Sequence, residues 1–119
     1  MPPLRATEVI FSDRADNARM DLKKARNHEA ASILRKLDYL EQRLLVDCLE
    51  GEVIPLPMPK PARVLEDVHG RISSLYCCDL PGFWRMLYTI GRADGKPYVY
   101  VLEVVPHPQY DKWFPNKGR

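Results

Sequence analysis

Two runs of β-branched and aromatic residues, Phe83 to Ile90 and Tyr98 to Val105, flank the segment GRADGKP with its Asp94-Gly95 pair. That order reads as a β-hairpin. A hairpin constrains the chain more than any other feature here, because pairing decides which side chains share a face. A turn centred on Asp94 sets Trp84 against Val104, Met86 against Leu102, Tyr88 against Tyr100 and Ile90 against Tyr98. These are large and apolar, and form one sheet face. The opposite face then carries Phe83 with Val105, Leu87 with Val101, and Arg85 opposite Glu103. A one-residue slip would move Arg85 in among the apolar side chains, so the alternation itself argues for this register.

The rest of the chain supplies what that face packs against. Thr7 to Phe11 reads as a first strand, and Ser12 or Asp13 as the N-cap of a helix with Asp16 near its positive end. Ala15, Ala18, Leu22 and Ala25 fall on one side of that helix. Asn27 offers a second cap. From His28 to about Glu50, Ile33, Leu37, Leu40, Leu44 and Cys48 recur at helical spacing, and Gly51 is a natural stop. Two helices with almost no linker form an antiparallel hairpin. Between Gly51 and Gly70 the alternating Pro55, Pro57, Pro59 and Pro61 forbid helix and sheet interior. This stretch reads as a stiff connector inside the domain, with one loose turn over Arg63 to Val68. Arg71 to Leu80 is the next strand, and Pro81-Gly82 turns it into Phe83.

The expected fold is therefore α+β: a strand, a helical hairpin, then a three-stranded antiparallel meander, with the helices on one face of the sheet. A length of 119 residues suits a single domain over the whole chain. The net charge of +2 permits contact with nucleic acid without demanding it, since the basic residues form no block. The opening MPPLRATEVIF has no apolar run of signal-peptide length, and no segment is long and apolar enough to span a bilayer. A cytoplasmic protein with no membrane partner is expected. Cys48, Cys77 and Cys78 have no metal-ligand spacing, so free thiols, no metal and no cofactor are expected.

Chemistry concentrates at the far end of the hairpin. Arg85 and Glu103 share a face, and His107 and Tyr110 follow the last strand, with Lys112, Lys117 and Arg119 behind them. A guanidinium holds phosphate in two-point contact, and an imidazole or carboxylate moves protons near neutral pH. A straight strand would leave His107 roughly 13 Å from Glu103. The chain must therefore bend at Pro106 or Pro108 for these groups to act together. The same residues also fit plainer roles. Arg85 and Glu103 suit a cross-strand ion pair, His107 a turn, and Tyr110, Trp113 and Phe114 a cover over the core edge. Lys60, Arg63, Glu66 and His69 read as solvated loop residues.

The segments LYCCDLPGFWRMLYTI, YVYVLEVVPH and QYDKWF resemble the C-terminal half of the RelE/ParE superfamily of toxins from toxin–antitoxin pairs, closest to archaeal and phage-borne RelE-like members. The resemblance covers about Leu75 to Phe114, and the helical hairpin matches in pattern. It implies a ribosome-dependent endoribonuclease that cuts mRNA by activating a ribose 2′-hydroxyl against the adjacent phosphate. It further implies a cognate antitoxin as partner, with the ribosome and mRNA as targets. By it, Arg85 contacts the scissile phosphate, His107 takes the place of the catalytic histidine of YoeB- and HigB-like members, and Tyr110 lies near their C-terminal tyrosine. Lys112, Lys117 and Arg119 would hold RNA. Glu66 and Glu103 are supporting candidates, Glu103 by orienting Arg85. The chain departs from the pattern where RelE-like members carry two strand lysines, since Cys77 and Asp79 stand there. Two other readings are a ParE-like gyrase inhibitor and a non-catalytic interaction module with the same fold.

Overall fold

A computed structural model describes residues 3–55 and 63–114. Among them, five strands form one mixed sheet in the order β1-β5-β4-β3-β2. The elements run β1 (Val9–Phe11), α1 (Asp13–Ala25), α2 (His28–Val46), β2 (Glu52–Val53), α3 (Arg63–His69), β3 (Tyr76–Leu80), β4 (Trp84–Ala93), β5 (Lys96–Pro106) and α4 (His107–Trp113). A 3-10 turn, Pro81–Phe83, links β3 to β4. The α+β class agrees with the sequence expectation. The short first strand is present as β1, whereas the two-residue edge strand β2 and the helices on the second face go beyond the expectation. The alternating prolines from Pro57 to Pro61 lie outside the described residues.

The helical hairpin forms where the sequence places it. The Ser12 hydroxyl accepts from the Ala15 N–H at 3.0 Å and donates to the Leu102 carbonyl at 2.7 Å, so one cap both starts α1 and ties it to β5. Asn27 caps α2 by accepting from the Ala30 N–H at 2.8 Å. Ile33, Leu37, Leu40, Leu44 and Cys48 are all buried, with Ala15 and Leu22 of α1. Ala25 is exposed. They meet Leu80, Met86, Tyr88, Val99, Val101 and Val104 of the sheet in one core. After α2 the chain is pinned by Tyr88, whose hydroxyl donates to the Cys48 carbonyl at 2.8 Å and accepts from the Gly51 N–H at 3.0 Å. A side chain at Gly51 would begin 2.6 Å from that hydroxyl, so only glycine fits there.

The expected hairpin register is corrected in two places. The turn is two residues, Asp94 and Gly95, with φ of 54° and 76°. This primed-type geometry suits the right-handed twist of the flanking strands. Its centre therefore lies between Asp94 and Gly95, which pairs Tyr88 with Val101, Thr89 with Tyr100 and Ile90 with Val99. A β-bulge between Leu87 and Tyr88 then inserts Leu102, so that Leu87 pairs with Glu103, Met86 with Val104 and Arg85 with Val105. Tyr100 and Leu102 consequently turn away from the helical hairpin, contrary to expectation, while Val104 still faces it. Arg85 does not lie opposite Glu103.

The second sheet face has its own core. Leu65 of α3, Trp113 of α4 and Phe114 pack with Leu75, Cys77, Leu87, Leu102 and Val105. The expectation of helices on one face therefore fails, because α3 and α4 cover the other. The short α3 forms around Leu65, which is fully buried and anchors a segment read from sequence as a loose turn. Parallel pairing of β1 with β5, Val9 opposite Val99, completes the sheet. No described helix is long and apolar enough to cross a membrane.

Candidate active site

The bend required after the last strand is present. Pro106 caps α4 in extended conformation, and α4 folds back along the second face, bringing Tyr110 over β4. The Arg85 guanidinium carbon stands 5.5 Å from the centre of the Tyr110 ring. Arg85 Nη1 donates to the Trp84 carbonyl at 3.1 Å, and Arg85 Nε lies 3.3 Å from an oxygen of Asp79, its cross-strand neighbour. Its side chain is about one-fifth exposed (21%), whereas Asp79 is open to solvent. The guanidinium is thus held by its backbone and an aromatic face, with one edge shielded only by a displaceable carboxylate.

Tyr110 is kept in the phenol form. Burial pushes its pKa up to about 12, the neighbouring Cys77 thiol adds to this, and Arg85 partly opposes it. Burial likewise raises Cys77 to about 11, against which the neighbouring Tyr110 and Arg85 act. Neither group is a base at neutral pH, and Cys77 is no ready nucleophile. Of the side chains at this corner, the His107 imidazole is the one whose chemistry suits proton transfer. Its Nδ1 lies 3.0 Å from an oxygen of Asp111, four residues on and one turn along α4. The carboxylate favours the tautomer with the proton on Nδ1 and leaves Nε2 as the free acceptor. The His107 ring is 6.4 Å from that of Tyr110 and 6.2 Å, edge-on, from that of Phe83.

Arg85, His107 and Tyr110 therefore share one corner, as the sequence reading asked. Asp111 is absent from the sequence-derived candidates, although its spacing from His107 is a helical signal, because no helix is expected after the last strand. Lys112 is exposed on α4. Lys117 and Arg119 lie outside the described residues. Glu66 sits in the first turn of α3, away from β4 and α4 in the chain.

Glu103 is not the partner of Arg85. The bulge turns it into a closed polar cluster, where its Oε2 accepts from Arg14 Nε and from His69 Nε2, both at 2.7 Å. The His69 ring stands edge-on to Tyr100 at 6.4 Å. The side chains of Glu103 and His69 are only 4% and 3% exposed, so no substrate atom reaches them. This cluster is a brace joining α1, β5 and α3. It also corrects the reading of His69 as a solvated loop residue. A depression of about 620 Å³ lined by Leu22, Arg26, His28 and Leu34 lies at the α1–α2 turn, far along the chain from these groups. Among the described residues, no group of three or more His, Cys, Asp or Glu side chains is arranged to hold a metal ion.

Comparisons of the chain with family models, curated proteins and solved structures give no match.

Proposed function

We propose that this protein is a ribosome-dependent mRNA endonuclease of the RelE/ParE type, the toxin half of a toxin–antitoxin pair. The observation that carries the reading is the corner itself. Arg85 is presented on a central strand between Asp79 and Tyr110, beside a His107–Asp111 pair on the helix that follows the last strand. In this reading a phosphate of the mRNA displaces Asp79 from Arg85, which then neutralises the charge that builds on the phosphoryl oxygens. His107 Nε2 takes the proton of the 2′-hydroxyl as that oxygen attacks the adjacent phosphorus. The bond to the 5′-oxygen breaks, leaving a 2′,3′-cyclic phosphate and, once that oxygen takes up a proton, a 5′-hydroxyl. Asp111 steadies the imidazolium that forms in between. Tyr110, held as a phenol, supports Arg85 and takes no proton. The antitoxin would cover this corner and keep RNA from Arg85.

The test is cleavage of mRNA in a translation extract, mapped by primer extension. General acid–base help contributes ~10²–10⁴-fold in rate. His107→Gln is expected to lose that factor with ribosome binding kept, and Arg85→Ala to lose as much with weaker binding. Cleavage that survives both substitutions refutes the assignment. A second reading, a non-catalytic interaction module, is favoured by Asp79 lying on Arg85 where RelE-like members have lysine. Wild-type protein that binds ribosomes and never cuts would establish it over the first. Inhibition of DNA supercoiling without mRNA cleavage would point to a gyrase poison.

A further inference from the structure

One side chain at this corner contributes little to folding. Phe83, in the turn between β3 and β4, is 75% exposed, the most exposed of the large hydrophobic residues described. Its backbone is also left-handed, with φ of 62°. A bulky residue rarely adopts that conformation, and strain of this kind persists where the surroundings enforce it. Neither burial nor backbone preference accounts for an aromatic ring here. Its position does. The ring meets His107 edge-on at 6.2 Å, and His107 leads on to Tyr110 and the Arg85 guanidinium. One surface thus presents an open aromatic face, an imidazole and a phosphate-binding cation in succession.

We propose that Phe83 is a stacking platform for a nucleobase of single-stranded RNA, next to the phosphate that Arg85 holds. The proposal rests on the endonuclease reading for its choice of RNA and adds the element that reads the base. Every base has a π-face, so an exposed ring beside a cation binds a single strand with little sequence demand. At 75% exposure the Phe83 ring keeps most of its surface open beside His107. A base stacked there would bring its own sugar and phosphate toward His107. The platform thereby positions the nucleotide about to be cut; Phe83 moves no proton.

The test compares two fluorescein-labelled RNA hexamers by anisotropy, one with natural bases and one abasic at a central position, both with the same phosphates. Stacking of one base on an aromatic residue corresponds to about 5- to 150-fold in Kd. Wild-type protein is expected to prefer the natural hexamer by that factor. Phe83→Ala should lose the preference, binding both as weakly as wild type binds the abasic hexamer. Phe83→Trp should keep it, and unchanged thermal melting shows that the variants are folded. Equal binding of the two hexamers by wild type, or no binding of either, overturns the platform. Equal binding is the outcome expected if the ring instead docks against a protein. The cleavage assay keeps the two readings apart. A protein with the base preference that never cuts retains the platform and loses the nuclease. A protein that cuts equally well with Phe83→Ala retains the nuclease and loses the platform.

Discussion

The two faces of this sheet are built from the same strands and differ in what they bury. The face under α1 and α2 is closed by aliphatic side chains, with Ile33, Leu37 and Leu44 at 1% exposure or less. Its main polar atom is the Tyr88 hydroxyl, which is fully engaged. The face under α3 and α4 mixes leucines with groups that titrate or carry charge: Glu103, His69, Cys77, Tyr110 and Arg85. Packing that interdigitates tightly tolerates no missing atoms, whereas the second face trades some apolar contact for groups that act on solvent. The contrast places stability mainly on one face and the candidate site on the other. Substitutions on each face should therefore separate the two.

The largest effect expected is on the first face. Leu44→Ala should lower stability by about 2–5 kcal/mol, read as a fall in the urea midpoint at constant slope. A loss below ~1 kcal/mol would mean that the hairpin does not carry the core. Next is the brace on the second face. Glu103→Gln keeps an acceptor oxygen but leaves Arg14 and His69 without their shared anion, and weakening such charge-assisted bonds costs roughly 1–3 kcal/mol. The half-exposed Arg14 recovers part of that in water. Because the brace makes no hydrogen bond or ion pair with Arg85, cleavage per folded molecule should stay unchanged. A selective loss of cleavage would show that the two second-face clusters are one site.

Alkaline pH should load both faces without mutation, since burial raises Cys78 and Tyr88 on the first and Cys77 and Tyr110 on the second. Cys77 is raised to about 11, and Cys78 and Tyr110 to about 12, each first by burial. The folded protein keeps these protons when the unfolded chain has lost them. Their contribution is complete below the unfolded pKa values, near 9 for the thiols and 10 for the phenol. It is lost as pH rises through 11 to 12. Chemical melts from pH 8 to 11 should show stability falling, and Cys77→Ala should flatten the slope. The smallest effect is at Phe83. Phe83→Gly relieves a left-handed backbone worth roughly 1–2 kcal/mol, offset in part by the freer unfolded glycine. Stability should be unchanged to about 1 kcal/mol higher. A clear loss would mean that the ring buttresses α4 rather than serving a ligand.

The first face was legible in the sequence because its signals are periodic. The α2 stripe and the alternation Trp84, Met86, Tyr88, Ile90 each repeat, and both are found packed together. The second face was less legible because a single residue decides it. Centring the turn on Asp94 rather than after it reversed the facing of Tyr98 to Leu102, since side chains alternate with period two. The bulge at Leu102 then restored the facing of Val104, and it carries no glycine to announce it. Glu103 was consequently given to Arg85, when Arg14 and His69 hold it from elements far apart in sequence. Arg85, His107 and Tyr110 were found without the correct register. They depend on the strand end and the proline bend, and both are local.

The pairing of β1 with β5 bears on how the molecule comes to exist. Ser12 and Leu102 are joined across 90 residues, and Val9 finds its only described ladder partner in β5. Closing so long a loop costs entropy before any contact is gained, and topologies of this kind fold slowly. On a translating ribosome the helical hairpin emerges first, with its leucine stripe unpartnered until β4 and β5 follow. The C-terminal hairpin, closed by a two-residue turn, is expected to be the fast local nucleus on which α1, α2 and β1 then assemble. Refolding measurements should find that Gly95→Ala slows folding, whereas Val9→Ala mainly speeds unfolding. The corner bearing Arg85 and His107 would thus take shape before the strand that completes the sheet has docked.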